Sequence, residues 1–480
     1  MSFDSLNFVV FSLAAMVLLR VARTGLARGI SLLALNLAFV GTFFNSPAQA
    51  IPIACFAIAG YAAVLMAERV GRRTTLGLAI LLALGFAWLR RYTFLSFLPQ
   101  PGFPYVTVGL SYILFRILHL VVDTGQGSRK APGPLTYFNY LFFFASFVSG
   151  PIQRSESFER QTREFHPLRD VRELADTLHR IILGLFMMAL LTPQTAYYNS
   201  QLSASLIHRL ATNPVSSNAV LLVAATSLVF IVHLYIGFQG YMHLVIGLAR
   251  LCGIGLPENF DRPWLAGSFL ELWTRWHITL SEWFKFYVFN PLLRALAERY
   301  VSPAALTWSA SVAFFVTFLI MGIWHGSSVI YVVYGLLLGF GVVVNRFITH
   351  SLTGKLGKKN YKALAQRPWF IHLGRAAGLS YFTICVACLW LTPEHTRFIS
   401  PYVALVTGGG AYLFLTFLVF FGGFVVEQLI ALVMSLGRDW LSPPRSTWTE
   451  PVWIGMKAFV LLMAIVGLGG TAPELIYKQF

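Results

Sequence analysis

Apolar runs near the ~20 residues that span a bilayer recur from one end of this chain to the other, roughly a dozen in all, and no soluble domain is left between them. That pattern allows very few architectures. The reading is an all-α, polytopic integral membrane protein of roughly a dozen transmembrane or re-entrant helices. Composition agrees, with 57% hydrophobic and 11% charged residues, against about 25% charged in an average soluble domain. A formal charge of +17 could point to nucleic acid. The basic residues, however, cluster in short links beside apolar runs, where lysine and arginine mark the cytoplasmic side, so the charge reads as topology and no nucleic-acid partner is expected.

Asp4 precedes the first apolar run, and Arg20, Arg23 and Arg28 follow it. This is the reverse of a cleavable signal peptide, so the first helix is expected to be retained with its N-terminus outside. The four cysteines are too dispersed for a disulfide framework, and Cys385 and Cys388 form a CxxC inside an apolar run that reads as small packing residues.

Taken in order, runs at 7–19, 30–45, 50–67 and 75–89 form a scaffold over residues 1–100, and residues 105–480 form the core of a single membrane domain. The segment 106–123 carries Arg116 and His119 three residues apart, hence on one helix face, which either lines a cavity or reaches a nearby interface by snorkelling. The run 137–154 is too short to cross, ends in Ser-Gly-Pro and has basic residues on both flanks. A helix that enters and returns is the natural solution, since broken backbone at depth survives only under protein or beside water. Residues 151–180 mix basic and acidic side chains as a cytoplasmic loop, whose second half, with Val171, Leu174 and Leu178 at helical spacing, fits a helix along the membrane surface; a crossing near 181–196 and an outer loop rich in Ser, Asn and Thr follow. The run 218–250 holds His233, Gln239 and His243, with Gly237 and Gly240 inviting a break or a close helix approach. Residues 257–295 combine four tryptophans with Arg275, His277, Glu282 and Lys285, as amphipathic or half-inserted helices would. The stretch 346–375 has seven basic residues and no acidic one and reads as a cytoplasmic loop, with further runs at 371–391, 401–435 and 453–469 and an outside C-terminus.

Two histidines stand out chemically. His325 sits between two apolar runs, in TFLIMGIWHGSSVIYVVYGLLLGF, and His277 lies in LWTRWHITLS; each follows a tryptophan. Ionisable groups at membrane depth face a bundle interior or a water-filled cavity and mark functional sites. A weakly hydrated imidazole stays neutral and can take the proton of an alcohol as it attacks an activated acyl group. Gly326 admits close backbone approach, and Ser327 and Ser328 supply hydroxyl donors for a developing oxyanion. The competing readings are interhelical hydrogen bonding, bis-histidine haem ligation among His119, His233, His243, His277 and His325, and a transporter or flippase passage lined by Arg116, Gln239 and the histidines. No HExxH or close Cys/His cluster points to a metal.

The ordered set FASFVSGPIQR, GFQGYMHLVIGLARLCGIGLPENFDRPWL, LWTRWHITLSEWF, MGIWHGSSVIYVVYGLLLGF and the terminal LIYKQF resembles the membrane-bound O-acyltransferases of bacterial cell-envelope modification, from about residue 105 to the end. That group includes alginate O-acetyltransferases and teichoic acid D-alanyltransferases, and the 137–154 and 321–340 stretches look nearer to the D-alanyl branch. The resemblance implies a funnel-shaped multi-helix fold in the bacterial cytoplasmic (inner) membrane. In it a cytoplasmic thioester donor, acyl-CoA or an acylated carrier protein, meets a hydroxyl of an extracytoplasmic polysaccharide or teichoic-acid-like polymer. It assigns the essential base to His325 and a second, orienting role to His277. Trp276, Arg275, Trp324, Gly326, Ser327, Gln239, His243 and Arg116 are the candidates for lining the substrate path. The implied partners are membrane lipid, a carrier protein at the basic face and a periplasmic acyltransferase, with no bound cofactor. The chain departs from the family pattern in having Gly237 and His243 where many relatives carry an acidic residue. Lys285 and Phe286 stand in place of Arg-Asp, and LTPE at 391–394 replaces a Phe-Phe-Arg stretch.

Overall fold

The computed structural model describes residues 6–22, 24–164, 168–212, 217–300, 302–391, 409–436 and 455. Among the described residues seven helices are long and apolar enough to cross a membrane, with shorter apolar helices at Val10–Val21, Gly25–Gly41 and Tyr412–Gln428. Regular structure among these residues is helical throughout, apart from one isolated antiparallel bridge between Phe260 and Trp276. The chain forms two compact units: one takes the described residues up to Leu190 together with Phe238–Asn259 and Gly455, the other Leu191–Gly237 and the described residues from Phe260 to Leu436.

In the first unit, α1 (Leu6–Val21), α2 (Gly25–Gly41), α3 (Ile51–Ala67) and α4 (Arg72–Leu89) match the four apolar runs read from the sequence. Next come α5 (Leu110–Gly125) and α6 (Pro134–Leu141). After α6 the chain leaves helical geometry, passes a single tight turn at Phe144–Ser146 and reaches Gly150 at φ 143°. Every residue from Asn139 to Gln153 is buried, so protein covers the broken backbone as the short run requires.

Buried carbonyls and amides must find partners, and Arg116 supplies several of them. Its Nη1 donates to the carbonyls of Tyr140 (2.9 Å) and Leu141 (2.8 Å), and its Nη2 to the carbonyl and Oγ of Ser146 (2.9 and 2.7 Å). Asn36 Oδ1 accepts from the Phe144 amide at 2.9 Å, and the Tyr241 hydroxyl donates to the Ser149 carbonyl at 3.0 Å. Arg116, expected to snorkel or line a passage, is 2% exposed and braces this buried segment.

In the described residues of 151–180, α8 (Val171–Phe186) takes the half whose apolar spacing fits a helix, and α7 (Ser155–Glu164) replaces much of the half read as a loop. Asp170 caps α8 by accepting from the Glu173 amide at 2.8 Å, and Glu173 Oε2 accepts in return from the Arg169 amide at 2.7 Å. The crossing near 181–196 does not end in an outer loop either. A π-helical turn at Met187–Leu191 leads straight into α9 (Thr192–Thr212), where the wider turn accommodates Pro193. The polar residues that suggested a loop bond back along the helix; Ser205 Oγ, for example, donates to the Gln201 carbonyl at 2.9 Å. Helix α10 (Ser217–Leu251) continues unbroken past Gly237 and Gly240. Gly240 instead permits close approach, since a Cβ there would lie 2.8 Å from the Cβ of Met187.

The second unit holds α9, the first part of α10, α11 (Phe269–Leu272), α12 (Ile278–Phe284), α13 (Asn290–Arg299), α14 (Pro303–His325), α15 (Val329–Ala365), α16 (Pro368–Trp390) and α17 (Gly409–Leu436). The basic stretch read as a loop is mostly the far half of α15, interrupted by left-handed geometry at Gly357 (φ 79°). Lysine, alanine and leucine favour helix, and no proline interrupts until Pro368. The run 453–469 and the terminal LIYKQF lie outside the described residues, Gly455 apart.

Candidate active site

Ser302 caps α14, accepting from the Ala305 amide at 3.2 Å, with Pro303 in the first turn where its missing N–H costs nothing. The helix ends at His325 because Gly326 turns fully extended (φ −177°) before Ser328 starts α15. His325 is thus the last helical residue, 7% exposed, one step from a break whose Ser328 and Val329 are exposed. The return helix packs against α14 backbone to backbone: a Cβ on Gly322 would lie 2.4 Å from the Cα of Gly335. At Gly326 a Cβ would strike the Tyr331 ring at 2.1 Å. Tyr334, one turn further, sets its ring edge-on to His325 at 5.4 Å, and Trp324 lies 4.7 Å from the same imidazole.

His277 comes from the irregular stretch between α10 and α14, outside the long apolar helices. The Asp261 amide donates to the Arg275 carbonyl at 3.0 Å, so the Phe260–Trp276 bridge pins the chain just before His277. Trp276 packs on Phe260 (5.0 Å), on Phe382 of α16 (5.2 Å) and on Tyr235 of α10 (6.3 Å). His277 adopts φ 45°, ψ 52° and starts α12 with its imidazole 3% exposed. A non-glycine residue in this region is uncommon and marks a site worth attention.

Trp273 ties the segment that carries His277 to the helix that carries His325. Its ring lies 4.8 Å from Phe318 of α14, and Phe318 stands seven residues before His325, two turns along the same face. Burial first, and the nearby His325 second, push His277 down from 6.5 to about 3, so it is neutral at pH 7.

The other sequence candidates divide by location. Trp276, Trp324, Gly326 and Ser327 belong with the two histidines in the second unit. Arg275 does as well, but it is held in ion pairs with Glu271 (2.9 Å) and Asp261 (3.1 Å). In the first unit Gln239 Nε2 and His243 Nε2 lie 3.0 Å apart on one face of α10. His233, in the second unit, bonds Thr195 Oγ1 through Nδ1 at 2.9 Å. His119 contacts both Asp123 (3.1 Å) and Ser155 Oγ (3.3 Å), but through the same Nε2. A hydrolytic relay needs the carboxylate on one ring nitrogen and the serine on the other, so this trio is not such a relay. Among the described residues no three His, Cys, Asp or Glu side chains gather as metal ligands would.

Sequence reasoning did not single out Tyr331, Tyr334, Trp273, Phe318 or Phe382. Tyr331 and Tyr334 were within reach of it: three residues apart at the start of a helix, they share a face that points back toward the break.

Residues 74–387 match the model of the membrane-bound O-acyltransferase family, more than half of the chain and starting earlier than the motifs alone indicate. The chain is 29% identical over 244 residues to the teichoic acid D-alanyltransferase of Streptococcus thermophilus, covering 50% of this chain and 56% of that protein. It is 27% identical over 241 residues to a probable alginate O-acetylase of Pseudomonas aeruginosa, covering 50% and 42%. To the peptidoglycan O-acetyltransferase of Helicobacter pylori it is 28% identical over 218 residues, covering 45% and 38%. The matched region thus spans about half the length of these curated relatives or less. With the family match running across α4 to α16, the chain belongs to the membrane-bound O-acyltransferase family.

Proposed function

We propose that this chain is a membrane-embedded O-acyltransferase that moves a small acyl group, acetyl or D-alanyl, to a hydroxyl of an extracytoplasmic envelope polymer. The donor is a thioester on the cytoplasmic side of the bacterial inner membrane, either acyl-CoA or an acylated carrier protein. The relatives named above act, by their names, on teichoic acid, alginate and peptidoglycan, all envelope polymers. The observation that carries the reading is that two imidazoles, His277 and His325, are both buried in one unit, near enough for His325 to help hold His277 neutral, with His325 beside an extended Gly-Ser-Ser break.

In this mechanism His325 accepts the proton of the acceptor hydroxyl while its oxygen attacks the thioester carbonyl. The C–O bond forms, charge gathers on the carbonyl oxygen, and donors at the break around Ser327 stabilise it. The C–S bond then breaks, and the departing thiolate takes the proton back from His325. His277 stays neutral and orients a substrate. Tyr334 and Trp324 fix the ring plane of His325, which confines the proton transfer to one direction. An acidic carrier protein would be drawn to the basic half of α15, with an encounter rate that falls as salt rises.

The test replaces His325 with Ala and measures ester-linked acyl groups on the envelope polymer at matched protein levels. We expect a loss of at least about a hundredfold, the scale of a missing general base. Wild-type acylation in His325→Ala would sink the proposal. Loss confined to His277→Ala would exchange the two roles, and polymer export without acyl transfer would point to a transporter.

A further inference from the structure

Away from the histidines the second unit carries a groove of about 900 Å³ between α15, α16 and the chain around Gly267–Arg275. Its walls mix two characters. Phe340, Val344 and Ile348 make an apolar stripe on one face of α15, and all three are exposed, from 36% to 57%. Arg375 of α16 lines the same groove, with Thr349 and Tyr361 of α15. An apolar stripe beside a cationic side chain suits an amphiphile with an anionic head.

Arg375 is the focus of the charge. Its Nε donates to the Leu265 carbonyl at 3.1 Å, and its guanidinium lies 5.6 Å from the Phe424 ring. Among the described residues no carboxylate pairs with it. Arg275, on the same wall, is by contrast neutralised by Glu271 and Asp261. In sequence, the stretch between the α15 wall and Arg375 adds Lys355, Lys358, Lys359, Lys362 and Arg367, all exposed, with no acidic residue between Arg346 and Arg375. Basic clusters immediately beyond a membrane helix attract anionic lipid, and a cationic pocket between helices holds the headgroup.

We propose that this groove binds an anionic phospholipid, its phosphate at Arg375 and an acyl chain along Phe340, Val344 and Ile348. The site is separate from the acyl-transfer reading and stands or falls without it. The lysines draw the lipid in over distance, and Arg375 selects it by a charge-assisted bond at a half-buried position.

The experiment purifies the full chain, reconstitutes it with equal phosphatidylglycerol and phosphatidylcholine, and counts the lipids retained on release by native mass spectrometry. We expect retained phosphatidylglycerol, reduced about tenfold in Arg375→Gln, the scale of one charge-assisted contact, and largely restored in Arg375→Lys. Ile348→Trp blocks the apolar stripe from an exposed position that should not disturb folding, and it should also release the lipid. The Lys358→Gln/Lys359→Gln pair should slow capture yet leave retention intact. Equal retention of both lipids would overturn the proposal, as would loss in the lysine pair with none in Arg375→Gln. Displacement by glycerol phosphate alone would also overturn it, by showing an anion site with no need of a lipid chain.

Discussion

His277 holds a left-handed backbone that costs an L-residue roughly 1–2 kcal/mol, and it keeps its ring 3% exposed. With an ordinary value of 6.5 lowered to about 3 in the folded chain, the unfolded state binds more protons throughout that window. The resulting stability is fully present above 6.5 and is lost as pH falls toward 3. Moving from pH 7 to 5 therefore weakens the fold by up to about 2 kcal/mol through this group. A melting scan in detergent should show that drop shrink in His277→Gln, and an unchanged drop would refute the coupling. The importance of His277 and His325 was legible from their shared Trp-His context and apolar surroundings. That their two segments are joined through Trp273 against Phe318 was not, because this is a long-range aromatic contact that local periodicity does not encode.

Between α14 and α15 the contact is main chain against main chain. A side chain on Gly322 would meet the Cα and N of Gly335 and the carbonyl oxygen of Tyr331, none of which can be trimmed. Gly322→Leu should force the helices apart and destabilise the fold by several kcal/mol, on the scale of overpacked cores. Yield and melting temperature in detergent check it, and near wild-type values for both would contradict the packing. Suppressors of such a change cannot come from a smaller neighbour; they must slide one helix past the other, and that moves His325. The helices themselves were readable wherever apolar runs were long. The basic half of α15 was misread as a loop because charge was taken for irregularity, although lysine is a good helix former. The outer loop after residue 196 failed for a related reason. Serine and threonine, read as loop residues, satisfy themselves on the preceding helical turn.

For the molecule as a whole, the charge pattern predicts that Lys358 faces the cytoplasm. A Lys358→Cys chain in intact cells should resist a membrane-impermeant maleimide until the membrane is opened, and ready labelling beforehand would invert the topology. Membrane class and family were legible from runs and motifs spread across the chain. The division into two units was not, because it cuts within α10 and across the junction of α8 and α9, where the sequence carries no linker. The buried segment from Asn139 to Gln153 also constrains the order of assembly. Arg116 precedes it and can bond its carbonyls as soon as it is made. The Ser149 carbonyl, however, waits for Tyr241, 92 residues later, and the Gln153 side chain waits for Gly255. During synthesis these last bonds of the turn therefore close only after α10 emerges from the ribosome. The nascent chain thus passes through a stage in which every helix up to α9 is made while the turn is still unsealed.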